Sequence, residues 1–243
     1  MMELERNTAA RNAILGSIRE HLAASATHDV IHGEGPEEVV AGSAVSVPTS
    51  SGASPSLVEL FKQQLEAVGG HCITAGTDME VVAALTRIIS DLRETPLRAQ
   101  RIALSNAPTI ERLIEQMEIE VDEIAVCPDP DELFAYDIGV STAQAAIAET
   151  GTLVLESESE RHRLVSLVPP VHIAIIDAPG ICLTLGEALA LIRRGGATRM
   201  SPTITLITGP SRTADIELTL AIGVHGPQEL YVIVKDGTVL NAN

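Results

Sequence analysis

Aromatic residues and positive charges are both scarce in this chain of 243 residues. Aromatic residues make up 2% of the sequence and tryptophan is absent, so the core must be built from Ala, Val, Ile and Leu, and few rings remain to stack on nucleic-acid bases. Lys and Arg number 16 against 33 Asp and Glu, and the net charge of -17 repels phosphate groups. We therefore expect no nucleic-acid partner.

Clustered cysteines are also missing. Cys72, Cys127 and Cys182 lie far apart, so no pair has the spacing that holds zinc or an iron-sulfur cluster, and an odd count argues against a disulfide framework. The fingerprints G-x-G-x-x-G and the Walker loop are absent too. We predict that the chain has no metal site and no cofactor, and that the purified protein shows no flavin or cluster absorption.

Long apolar runs are the last absence. No run approaches the roughly 18 residues that span a bilayer, and the first residues, Met-Met-Glu-Leu-Glu-Arg, lack the basic-then-apolar order of a secretion signal. The sequence therefore predicts a cytoplasmic protein without membrane insertion.

Helical and strand patterns alternate from residue 54 onward. Helices are predicted after Ser54-Pro55 and after two capping boxes, Thr77 to Glu80 and Thr184 to Glu187. Short apolar strands are predicted between them, at 71–75, 102–104, 124–126, 171–176, 203–208 and 230–234. This order indicates an α/β fold, an open and mostly parallel sheet with helices on both faces. We assign residues 45–243 to this domain, and residues 1–44 to an N-terminal helical arm with a connector.

One segment breaks the alternation. The patterns at 145–148 and 152–155 read as two strands that meet at the turn Glu149-Thr150-Gly151, which predicts an antiparallel insertion or a second small sheet. Glu149 on such a turn would serve as a general base or a carboxylate nucleophile, with Thr150, Gly151 and Thr152 as ligand-binding neighbours. The alternative is a solvated turn residue whose threonines close the hairpin.

The residues from 203 to 217 read as a buried strand that runs into a helix. The strand ends at Gly209-Pro210, and a helix that begins there leaves backbone N–H groups without partners, which suits a small anion. We predict ligand binding by Ser211, Arg212, Thr213 and Asp215. A local pair between Arg212 and Asp215 or Glu217 is the alternative.

Two histidines complete the candidates. His225 lies between glycines in Gly223-Val224-His225-Gly226-Pro227, which leaves room for close approach, and we predict a catalytic role for it. His172 opens a strand after Pro169-Pro170 and is a candidate ligand-binding residue. We expect Glu149, Arg212 and His225 to meet in one cleft at the carboxyl edge of the sheet. A structural role in a turn is the alternative for His225.

Four segments occur in a characteristic order: Ala148-Glu149-Thr150-Gly151-Thr152, Leu167-Val168-Pro169-x-x-His172, Gly209-Pro210-Ser211-Arg212-Thr213-Ala214-Asp215-Ile216-Glu217 and Gly223-Val224-His225-Gly226-Pro227. In this order and spacing they resemble the lactate-utilisation (LUD) domain family, over about residues 45–236, and in particular its short member without iron-sulfur clusters. The resemblance implies a fold like that of glucosamine-phosphate isomerase, ribose-phosphate isomerase and the CoA-transferases. It also implies a role in oxidising L-lactate to pyruvate together with iron-sulfur partner proteins.

Two functions remain open at this stage. The first is a component of a lactate-oxidising assembly that binds a small anionic ligand at the helix start in 209–217. The second is a free-standing isomerase- or transferase-like enzyme for a small phosphorylated or carboxylated metabolite, with Glu149 as base or nucleophile. A fold alone does not choose between them.

Overall fold

The computed structural model describes residues 56–97, 99–157, 163–194, 201–215, 219–222 and 226–237. The predicted N-terminal helix, the connector and the boundary after residue 44 lie outside these ranges, so the division into two parts stays a prediction. In chain order the elements are α1 (Leu57–Ala67), β1 (His71–Ala75), α2 (Asp78–Arg93), β2 (Arg101–Leu104), α3 (Pro108–Ile114), β3 (Glu123–Val126), β4 (Ile138–Thr142), β5 (Ala145–Ile147), β6 (Thr152–Glu156), β7 (Val171–Asp177), β8 (Ile181–Cys182), α4 (Leu185–Arg194), β9 (Ile204–Thr208), β10 (Arg212–Asp215), β11 (Thr219–Ile222) and β12 (Glu229–Lys235).

Six strands form a parallel sheet in the order β1-β12-β7-β4-β2-β3. Helices α2 and α3 cover one face, where their apolar side chains pack on alternate strand residues such as Ile138, Val171 and Ile233. Helix α1 packs on the opposite face through Phe61 and Leu65, against Ala174 and Val232 among others. The predicted parallel sheet with helices on both faces is therefore confirmed.

Local signals start the helices where the sequence predicts them, within two residues. Helix α1 begins after Ser56, two residues beyond the predicted cap, and the Ser56 hydroxyl accepts a hydrogen bond from the Glu59 N–H at 3.2 Å. Helix α2 begins after Thr77, whose hydroxyl accepts from the Glu80 N–H at 3.2 Å, while the Glu80 carboxylate accepts from the Gly76 N–H. Both are the side-chain caps expected at a helix start.

A second sheet of four strands, β8-β5-β6-β9, lies beside the first. Strands β5 and β6 are antiparallel and flank the turn at 149–151, which confirms the predicted small sheet. One face of this sheet contributes Leu153 and Leu155 to the core that also holds α1, and α4 covers the other face with Ala188 and Ile192.

Two predictions about residues 203–217 are wrong. Strand β9 is not in the parallel sheet; it pairs antiparallel with β6 at the edge of the small sheet, and its Leu206 is 49% exposed. Among the described residues after it there is no helix: β10 and β11 pair antiparallel, with Arg212 opposite Ile222. The Ser211 N–H, which a helix start would leave free, donates to the Pro227 carbonyl at 2.8 Å. The β-branched residues of both strands favour pairing over a helix.

Candidate functional site

A cleft of about 670 Å³ lies at the carboxyl ends of the parallel strands. Residues at or just after the ends of β4, β7 and β12 line it, namely Thr142, Asp177 and Lys235. The starts of α2 and α3 bound it on one side and α4 bounds it on the other. In open parallel sheets, ligands bind at this edge.

Three charged side chains converge at one end of the cleft. The Lys235 ammonium lies 2.5 Å from one carboxylate oxygen of Asp78, and the Arg112 guanidinium lies 3.1 Å from the other. The hydrogen bond from Lys235 lowers the pKa of the Asp78 carboxyl, and the charges of Lys235 and Arg112 act in the same direction against the effect of burial. Asp78 therefore stays ionised and holds two cations beside the first turn of α2.

An amide with a defined orientation lies next along the edge. The side-chain oxygen of Gln144 accepts a hydrogen bond from the Glu156 N–H at 2.6 Å, and its nitrogen donates to the Thr142 hydroxyl at 3.4 Å. Because the backbone N–H can only pair with the amide oxygen, the NH2 group is directed to the other side. The cleft thus contains an ammonium group and an oriented amide donor.

The predicted Glu149 turn lies elsewhere, against helix α1. Gly151 has φ +63, and a Cβ there would meet the backbone of Leu65 and lie 2.6 Å from the carbonyl carbon of Gln64, so only glycine fits. Glu149 and Thr150 are exposed on the turn. The Thr152 hydroxyl is buried and bonds Thr150 at 2.7 Å and Thr208 at 2.8 Å. These hydroxyls close the turn onto β9. This agrees with the alternative interpretation, in which the threonines of the turn have a structural role.

This hydroxyl chain predicts a moderate loss of stability for Thr152→Val. The isosteric valine removes the central hydroxyl and leaves its two neighbours without their shared partner, so we expect the free energy of unfolding to fall by about 1 kcal/mol. Urea denaturation followed by circular dichroism measures it. Thr152→Ser, which keeps the hydroxyl, is the control, and an unchanged stability of the valine variant would contradict the role of this chain.

The Arg212 segment packs on the C-terminal end of α1. Gly69 has φ +88, and a Cβ there would collide with the Arg212 guanidinium group. Ser211 bonds Pro227, two residues before β12 begins. Arg212 and Ser211 therefore lie beside the amino ends of β1 and β12, opposite the cleft. The expected meeting of Glu149, Arg212 and His225 at the carboxyl edge is wrong for Arg212, because strand β10 replaces the helix that would have carried it there.

The remaining candidates are less defined. His225 and Glu217 lie outside the described residues, and Thr213 and Asp215 are described by their backbone pairing in β10 alone. A ligand-binding role for Ser211, Arg212, Thr213 and Asp215 stays a prediction, without the helix start on which it was based. Catalytic roles for Glu149 and His225 also stay predictions.

His172 is a buried residue of β7, paired with Leu230 of β12 and Gly139 of β4. Its side chain is 0% exposed, and its Nε2 atom bonds the Ser141 hydroxyl at 2.8 Å, while Nδ1 has no hydrogen-bond partner. Burial lowers the pKa of this imidazole to about 3, so it is neutral at pH 7. A fully buried side chain in mid-sheet does not fit the predicted ligand-binding role.

Sequence reasoning missed the cleft residues although a signal was present. Asp177 and Lys235 each follow a predicted strand directly, which is where the rule for parallel sheets places ligand contacts. None of the motif residues whose side chains the structure describes is among those that line the cleft. Within the described ranges, no group of three or more His, Cys, Asp or Glu residues is positioned to hold a metal ion, and no helix is long and apolar enough to cross a membrane.

Relatives of known sequence are similar to this chain over parts of different length. An uncharacterized protein of Neisseria meningitidis serogroup B is 45% identical over 100 residues, which is 40% of this chain and 41% of that protein. Lactate utilization protein C of Bacillus subtilis is 39% identical over 103 residues, or 41% and 43% of the two chains. Lactate utilization protein C of Geobacillus thermodenitrificans is 30% identical over 188 residues, or 75% and 70%. The match spans less than half the length of the first two relatives.

A solved structure shares the fold. The crystal structure of a DUF162 family protein from Deinococcus radiodurans matches with a TM-score of 0.53 at 21% identity, over 74% of this chain and 96% of that chain. At this identity the likeness concerns the fold alone. The sequence model of the LUD domain family matches residues 58–234, which is most of the chain. This chain therefore belongs to the LUD domain family.

Proposed function

We propose that this protein is a cytoplasmic component of L-lactate utilisation that takes part in oxidising L-lactate to pyruvate. The observation that carries the proposal is the alignment with lactate utilization protein C of Geobacillus thermodenitrificans, at 30% identity over 75% of this chain. Several other relatives with the same name align over shorter segments.

Oxidation of lactate needs an electron acceptor, and the sequence offers no clustered thiols or nucleotide fingerprint to hold one. We therefore propose that iron-sulfur partner proteins accept the electrons. The exposed surface around Arg212 and the Glu149 turn is the proposed contact for a partner or a small anion, since it carries the family's motif residues. Arg212 is an exposed residue of this surface, with its guanidinium group beside Gly69.

Growth on lactate tests this role. Deleting the gene from its own organism should abolish growth on L-lactate as sole carbon source and leave growth on pyruvate intact, because pyruvate enters metabolism after the oxidation. The growth rate on each carbon source is the measurement. Growth of the deletion strain on L-lactate at the parental rate would refute the proposal.

Complementation then tests the motif surface. Arg212→Ala and Glu149→Gln should each fail to restore growth on L-lactate, while the proteins keep the wild-type circular dichroism spectrum. Arg87→Ala is the matched control, since Arg87 is also exposed and its only described ion pair joins it to Asp91 at 3.8 Å on the surface. Affinity capture from lactate-grown cells should recover an iron-sulfur protein with the wild type.

A further inference from the structure

The cleft at the carboxyl edge is larger than lactate requires. Its volume of about 670 Å³ falls in the range of sites that enclose drug-sized molecules, whereas lactate is a three-carbon acid. A molecule that fills this space therefore carries a body of several more carbon atoms. The cleft lies apart from the Arg212 surface, so the inference drawn from it does not depend on the role in lactate utilisation.

The polar groups of the cleft favour a ligand that accepts hydrogen bonds. Lys235 offers an ammonium group that Asp78 holds in place at 2.5 Å, and Gln144 offers the NH2 group that its bond to the Glu156 N–H directs away. A carboxylate is ionised and accepts stronger hydrogen bonds from such donors than a neutral group does.

The charged residues that line the cleft are Asp78, Glu156, Asp177 and Lys235, so an added negative charge is favoured only at the end where Lys235 and Arg112 lie beside Asp78. Two cations, Lys235 and Arg112, share the one carboxylate of Asp78. Asp177 lies opposite Lys235 in the strand register but is exposed, so solvent screens its charge. Glu156 is buried and already has an interaction partner within the protein.

The rest of the lining is apolar. Ile175, Ile176, Pro179, Leu191 and Ile192 contribute to the walls between the strand ends and α4. These side chains offer a surface for an aliphatic or flat apolar body, which gains free energy by leaving water. Lactate has only a methyl group to place there.

We propose that the cleft binds an organic carboxylate with an apolar body larger than that of lactate. The carboxylate lies at Lys235 and the Gln144 amide, and the apolar body lies along Ile176 and the Leu191-Ile192 side of α4. The protein thus has a ligand site separate from the surface formed by its family motifs.

Hexanoate is the probe, and hexanamide, hexylamine and L-lactate are its comparisons. Isothermal titration of the full chain should give a dissociation constant for hexanoate at least about tenfold lower than for the other three, the worth of one charge-assisted hydrogen bond. Equal binding of hexanoate and hexanamide, preference for hexylamine, or no binding of hexanoate would overturn the proposal.

Two variants locate the binding. Lys235→Gln removes the ammonium group, and Gln144→Glu keeps the oxygen that accepts from Glu156 but replaces the donor with a negative charge. Each should weaken hexanoate binding about tenfold or more. Lys235→Arg should restore most of it.

The controls make the same changes away from the cleft. Lys62→Gln and Gln63→Glu on α1 should leave the affinity within about twofold of wild type. Thermal melts show whether each variant is folded. If Lys235→Gln fails to fold because it loses the Lys235–Asp78 pair, Gln144→Glu still tests the site, since it keeps that pair. Unchanged affinity in both cleft variants would show that hexanoate binds elsewhere and would refute the site.

Discussion

Replacing Gly139 with alanine should strongly lower the free energy of unfolding. Gly139 lies in β4, between β2 and β7 in the middle of the parallel sheet. A Cβ there would overlap the backbone carbonyl oxygen of Val165, and it would lie 2.9 Å from the carbonyl carbon. The Val165 carbonyl is part of the backbone and cannot rotate away as a side chain does, so strand β4 or the Val165 segment must shift. We expect the free energy of unfolding to fall by about 3 kcal/mol or more.

Urea denaturation followed by circular dichroism measures this loss, with Gly186→Ala as the matched control. Gly186 lies in α4, and the nearest atom to its added Cβ is the Thr184 hydroxyl at 4.0 Å. Alanine should stabilise that helix by roughly 0.5–1 kcal/mol. If the two alanine variants had the same stability, the close approach of Val165 to β4 would be wrong.

The stability of the protein should depend on pH through His172. The unfolded pKa is near 6.5 and the folded pKa is about 3, because burial opposes protonation in the folded state. The unfolded chain therefore binds a proton between these values that the folded chain does not bind. Stability is complete above pH 6.5 and falls by about 1.4 kcal/mol per pH unit as the pH drops from about 6.5 toward 3.

The variant His172→Gln isolates this contribution from the many carboxylates of the chain. Glutamine can keep a hydrogen bond to Ser141 but gains no proton, so the difference in unfolding free energy between wild type and variant should shrink as the pH falls from 7.5 to 5. His71→Gln is the control, because it removes an exposed histidine and leaves His172 unchanged. This variant should keep the loss of stability that the wild type shows as the pH falls. A His172→Gln difference that stays constant over this pH range would contradict a buried neutral imidazole.

Much of the fold could be predicted because its signals are local. The caps at Thr77 and Thr184 act over three or four residues, and both mark real helix starts. The apolar strands at 102–104 and 124–126 are short and bounded, and both lie in the parallel sheet. The strand pair around Gly151 was predicted from the turn between its two apolar runs.

The wrong predictions concern segments whose conformation depends on a strand partner far away in the sequence. The run at 204–208 is apolar enough for a buried strand, but it pairs with β6 at a sheet edge because residues about fifty positions earlier offer their backbone groups there. The residues after Gly209 contain both helix-start and strand signals, and the Ser211 bond to Pro227 together with the β11 partner selects the strand. The sequence shows both conformations as locally acceptable.

By itself the sequence determined most of the elements up to residue 194, the parallel α/β class and the family, since these depend on short patterns and on motifs that occur in a fixed order. The tertiary structure alone decided which residues share a site. Thr142, Asp177 and Lys235 meet in one cleft because parallel strands bring their carboxyl ends to the same edge, whatever their separation in the chain. The motif residues Gly151 and Arg212 instead pack on α1 and the turn after it. Gly151 lets the backbone of its turn approach the backbone of Leu65, and the Arg212 guanidinium lies beside Gly69.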